Sequence, residues 1–150
     1  MLRLLASLVT VSCALFLGAC GQHANLARAD MSGTYVADIK GDGKWAPFIK
    51  VERNGNDYVL HEMSGDVRSR PMKPFGQPDE YEATRPFTKA DLETFVRRSV
   101  DVDVRGVQTN EIALVHVPCG WSDHGTPRTF VSTTGWFAIT LLGAVQLRKL

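Results

Sequence analysis

From Gly33 onward the chain is cut into short pieces. Runs of Val, Ile, Tyr and Phe a few residues long are separated by Gly, Asn, Asp and Ser, which is the pattern of an antiparallel β domain. Tyr35, Ala37 and Ile39 alternate with Asp38 and Lys40 before a turn at Gly41-Asp42-Gly43. A second strand, Phe48 to Arg53, sets Ile49 and Val51 on one face. Asn54-Gly55 then predicts a tight hairpin, because a type I′ turn needs the positive φ that Asn and Gly tolerate. Tyr58 to Met63 returns, Ser64-Gly65-Asp66 turns again, and a weaker strand runs from Val67 to Met72.

Residues 73–87 hold three prolines and no sustained period, so a long loop is expected there. Thr88 caps a helix near 88–98. Asp91 stands three residues later in a partial capping box, while Leu92, Phe95 and Val96 form an apolar stripe. Arg97 and Arg98 are expected in the last turn, where they complement the helix dipole. Between Val100 and Arg105 valine alternates with charge, predicting a half-buried strand. Ile112 to Val117 is apolar on both faces and belongs at the centre of a sheet. After a loop at 118–127, three strands close the domain: Arg128 to Thr133, Trp136 to Leu142 and Val145 to Leu150. The expected fold is mainly β: an antiparallel meander of about nine strands forming a small barrel or sandwich, with one α-helix across an opening or edge.

The N-terminus has a different character. One positive charge at Arg3 precedes an apolar core of 13 residues, Leu4 to Phe16, too short to span a bilayer as a helix and typical of a secretory signal. It ends in Leu17-Gly18-Ala19-Cys20. That tetrad resembles the lipobox of bacterial lipoproteins, and the resemblance covers residues 1–21. It implies cleavage before Cys20, which then carries a diacylglyceryl thioether and an amide-linked fatty acid; the thiolate is the nucleophile. More than one acyl chain, at about 0.8 kcal/mol per buried CH₂, makes a stable anchor in the lipid bilayer. Gly21 rather than Asp after the cysteine is similar to the outer-membrane sorting signal of enteric bacteria, which places the domain in the periplasm. An ordinary cleavable signal with Cys20 by chance is the alternative.

The division that follows is a signal peptide at 1–19, a lipidated cysteine with a flexible tether at 20–31, and a single β-rich domain at 32–150. The tether is small and polar, with an r.m.s. reach of roughly 18 Å. Removing residues 1–19 leaves 131, enough for one domain of usual size. Because Arg3 is the only charged residue removed, the remainder has equal numbers of basic and acidic side chains, which argues against nucleic acid as a partner. With Cys13 discarded and Cys20 lipidated, only Cys119 remains, so no internal disulfide is expected.

Chemistry concentrates in Cys119-Gly120-Trp121-Ser122-Asp123-His124, with His116 just before it. His116, Cys119 and His124 are the candidate metal ligands, since thiolate and imidazole suit zinc or copper. Their spacing matches no established pattern, so no metal or other cofactor is expected. A Cys119 nucleophile would need a histidine and an orienting acid within reach, but Asp123 and His124 diverge in extended backbone. The simpler reading makes Cys119 a small buried hydrophobe at a strand end, Trp121 a lid on the core and Asp123 a turn former. Asp101 and Asp103 would stand about 6.6 Å apart on one strand face, but alternation with valine points both toward water, where neither is a raised general acid. Arg105 and Ile112 spoil a calcium loop starting at Asp101, and Gly41-Asp42-Gly43-Lys44 lacks the spacing of a phosphate loop.

A different site lies in the long loop, where Asp79, Glu80 and Glu82 surround Tyr81, with Phe75 nearby. Together with Trp121 these residues suit recognition of an envelope or secreted protein. The leading expectation is a non-enzymatic, lipid-anchored envelope protein that binds a protein partner, as an inhibitor or immunity protein or an accessory subunit. Two alternatives stand beside it: a calycin-like carrier of a small apolar ligand, and a thiol- or metal-dependent enzyme using residues 116–124.

Overall fold

Alternation decides which side of each strand is buried, and its breakdown marks strands covered on both sides. The computed structural model describes residues 30–63, 69–72, 82–124 and 130–150. The signal sequence, Cys20, residues 21–29 of the tether, and Phe75, Asp79, Glu80 and Tyr81 lie outside the described residues.

Among the described residues, nine strands form one antiparallel sheet. In chain order they are β1 (Gly33–Ala37), β2 (Ala46–Asn54), β3 (Asp57–Met63), β4 (Ser69–Pro71), β5 (Arg85–Phe87), β6 (Arg105–Gln108), β7 (Ile112–His116), β10 (Trp136–Thr140) and β11 (Gly143–Lys149). Between β5 and β6 lies helix α1 (Lys89–Val96), and between β7 and β10 a separate hairpin, β8 (Trp121–Asp123) with β9 (Phe130–Ser132). The spatial order is β4-β3-β2-β1-β11-β10-β7-β6-β5, so the last strand joins the N-terminal meander to the rest. The sheet curls into a half-barrel. Ile49 and Leu60 from one side meet Val107 and Leu114 from the other in one core cluster, which a flat sheet would not permit. A seam between the sheet edges is bridged where Thr84 Oγ1 donates to the Tyr58 carbonyl at 2.7 Å and Glu82 N–H to the Met72 carbonyl at 2.9 Å.

Three devices cover the outer face near β7 and β10. Leu92 and Val96 of α1, the valines of segment 100–104, and Trp121 and Phe130 of the hairpin all pack on Val115, Val117 and Phe137. β7 is therefore buried on both sides, as its uninterrupted apolar sequence predicts. The Val100–Arg105 strand is corrected. Val100 is buried while Asp101 and Asp103 are exposed, so the alternation holds, but the segment crosses the outer face without strand pairing and β6 begins only at Arg105.

Smaller corrections have local causes. In the first hairpin Asn54 pairs with Asp57, so the central residues are Gly55 and Asn56; Gly55 alone takes positive φ (63°), the type II′ arrangement. α1 ends two residues early, with Arg97 as its C-cap in the left-handed region (φ 56°). Arg97 and Arg98 thus lie beyond the last turn, and Phe95 is partly exposed rather than buried with Leu92 and Val96. The expected loop at 73–87 ends in β5, and the expected loop at 118–127 contains β8.

The capping box at α1 is complete. Thr88 N–H donates to Asp91 Oδ2 at 2.8 Å, and Asp91 N–H donates to Thr88 Oγ1 at 3.3 Å. Burial raises the Asp91 carboxyl, but hydrogen bonds from the Thr88 hydroxyl and amide, Arg85 and Gln108 outweigh it and hold the group at about 2. Thr88→Ala is expected to cost about 1 kcal/mol in urea unfolding. Because the folded value is depressed, the Asp91 contribution is full above its unfolded value of 3.8 and is lost as pH falls through about 2. The stability gap between wild type and Asp91→Asn should therefore close over that window; a constant gap would contradict the assignment.

The half-barrel has two unlike ends. At one, Thr140 pairs with Gly143 around the Leu141-Leu142 turn. At the other, Lys149 pairs with Tyr35 and its Nζ donates to the Asp30 carbonyl at 2.7 Å. The length of β11 separates them by roughly 20 Å.

Candidate functional site

Strand parity carries the inward row of side chains past the packed core toward the Thr140 end. Leu60, Leu114 and Leu147 are at most 1% exposed and fill the interior. One rung further along, Ile112 and Val145 face the same interior, but no side chain of the described residues fills the space between them and the opposite wall. The result is a cup of about 810 Å³, within the range of small-ligand sites, lined by Phe48, Ile49, Met72, Ile112 and Val145. Its rim is unusually apolar. Ile39, Leu141 and Leu142 are 69%, 89% and 100% exposed, forming with the cup one continuous greasy surface of the kind that marks a binding site.

Charge enters the cup from two sides. Glu62 follows Leu60 by two residues and so shares its inward side, and it pairs directly across β3 and β4 with Arg70. Glu111 lies on the opposite lip, beside Ile112.

The other end of the half-barrel is narrower, with an aromatic cluster beside a smaller cleft of about 250 Å³ at Met31, Tyr58 and Val107. Tyr35 and Trp136 meet at 5.1 Å between ring centroids and Trp136 and His116 at 4.2 Å, while Lys149 lies over both aromatic rings. The Tyr35 hydroxyl donates to the Met31 carbonyl at 2.7 Å, and burial pushes its proton affinity far up. Burial, then the charges of Arg105 and Lys149, lower the His116 value, and burial also lowers that of Lys149. This end carries an imidazole, tilted aromatic rings and a lysine stem packed together.

The residues singled out by sequence are dispersed. Glu82, expected on a solvated recognition loop, is 6% exposed; its Oε1 accepts the Asn110 N–H at 2.6 Å, pinning the seam. Trp121 stacks on Phe137 at 5.9 Å and covers the outer core, as the lid reading expects. Asp123 is a buried strand residue rather than a turn former, held by Arg98 Nε at 3.1 Å. Cys119 is exposed rather than a small buried hydrophobe, with its Sγ 2.6 Å from the Thr133 carbonyl oxygen. His116 faces Trp136 while His124 is exposed with Nε2 2.5 Å from Ser122 Oγ, and no cluster able to hold a metal forms among the described residues.

Sequence reasoning named the carrier alternative without locating its pocket. The available signal was Leu141-Leu142 beside Gly143, an apolar pair at a bend where polar residues are usual. No family model, curated protein or solved structure matches the chain.

Proposed function

We propose that this is a lipid-anchored protein of the bacterial cell envelope that holds a small apolar ligand, without catalysis, in the open end of its half-barrel. The cup with its exposed leucine rim is the observation that carries the ligand-binding reading. The anchor rests on the lipobox-like Leu17-Gly18-Ala19-Cys20. The protein-recognition reading loses support where it touches described residues: Glu82 and Trp121 are committed to the seam and the outer core.

Ligand binding is tested by titrating the full chain carrying Cys20→Ser with a neutral naphthylamine dye. Saturable fluorescence enhancement, abolished by the cup-filling Val145→Trp in a variant that keeps its near-ultraviolet circular dichroism, is expected. Absence of enhancement in the folded protein overturns the reading. The anchor is tested by mass spectrometry of the mature protein. An acylated Cys20 at the N-terminus is expected, with palmitate label lost in Cys20→Ser. Because one sulfur cannot be both thioether and disulfide, finding Cys20 joined to Cys119 in the mature protein overturns the anchor.

A further inference from the structure

We propose that the occupant is a single-tailed zwitterionic amphiphile, bound with its hydrocarbon tail in the cup and its head on the Glu62–Arg70 ledge. The inference rests on the ligand-binding reading above and adds the ligand's class. The cup is blind: below Ile49, Ile112 and Val145 the interior is packed solid, so a linear tail enters from the Thr140 end and stops there. The exposed side chains of Leu141 and Leu142 prolong the apolar wall past the last strand pair, sheltering the part of a tail that the cup does not reach.

The charged ledge selects the head. A headless hydrocarbon filling the mouth would strip water from Glu62 and Arg70 and return no hydrogen bonds, which is costly for ionised groups. An anionic group on the ligand satisfies Arg70, whose planar fork suits phosphate or carboxylate. An ammonium group satisfies Glu62 and, across the mouth, Glu111. Two carboxylates and one guanidinium around one opening complement a head that carries both signs, rather than a purely anionic one.

The test uses the full chain with Cys20→Ser, purified without detergent and titrated with palmitoyl lysophosphatidylethanolamine below its micelle concentration, read by native mass spectrometry and by dye displacement. A one-to-one adduct is expected, with palmitate bound more weakly. Glu62→Gln and Arg70→Gln should each weaken the lysolipid by about tenfold, the scale of one charge-assisted hydrogen bond, and weaken it more than they weaken the uncharged dye. Dye binding with no lysolipid adduct, or lysolipid affinity indifferent to both substitutions, overturns the head assignment and leaves the apolar-ligand reading standing. Palmitate binding as tightly as the lysolipid removes the ammonium requirement and likewise overturns the proposal. Failure of both dye and lysolipid to bind overturns both readings.

Discussion

Phe137→Ala is expected to destabilise the domain by about 3–5 kcal/mol, a large part of the stability of a single domain this size. Phe137 is 1% exposed on β10, between β7 and β11. Its ring touches two elements that are not part of the main sheet: Trp121 stacks on it at 5.9 Å and Phe130 meets it at 5.0 Å. Truncation removes the shared surface on which the β8–β9 hairpin sits, and a three-residue hairpin cannot collapse far enough to refill the space. The check is urea unfolding followed by circular dichroism, with the midpoint lowered and the slope retained. Phe137→Leu should recover more than half of the loss, because it restores most of the volume. A loss below about 1 kcal/mol for the alanine variant would mean that the hairpin does not depend on this ring. Dye binding by the folded fraction should be spared, since Phe137 packs on the outer face and the cup opens on the inner one.

Gly106→Ala should be nearly as damaging, for the opposite reason. Gly106 sits in β6 between Phe87 of β5 and Val115 of β7. A Cβ added there would lie 2.4 Å from the Leu114 carbonyl oxygen and 2.8 Å from Phe87 Cβ. Neither neighbour is the loose end of a side chain, so the clash is relieved only by moving strands apart. Overpacking of this kind costs about 1–3 kcal/mol, and the backbone contact puts this site at the upper end. Hydrogen exchange should show the loss first at β5, which is held to the main sheet through β6 alone. Unchanged protection of the Phe87 and Val107 amides in the alanine variant would contradict this.

The two substitutions also show what sequence could and could not convey. Parity along β2 is a local property, and it places Ile49 and Val51 on one face without help from distant residues. β7, apolar on both faces, reads as central; it is an interior strand, third from the β5 edge. The Val100–Arg105 segment misled because alternation reports burial of one side, not the presence of a neighbouring strand. Its valines are satisfied by the outer core, and its backbone pairs with no strand. β5 and β8 are three residues each, too short to show a period. The cup was hidden for a deeper reason: it is a gap between Ile49 and Val145, whose strands are not adjacent, and nothing near either residue announces it. Glu62 and Arg70 looked like ordinary surface charge until pairing put them side by side on the inward face.

The two unlike ends of β11 carry an orientational consequence. If acylated Cys20 holds this protein to a leaflet, the leash joins at Asp30, beside Lys149, and its ten residues extend at most about 36 Å. When that leash is taut, the end carrying Asp30 lies nearer the lipid than the leucine-rimmed opening does. A ligand held as proposed would then be exchanged with the aqueous compartment, and its turnover should not depend on the composition of the leaflet to which the protein is moored.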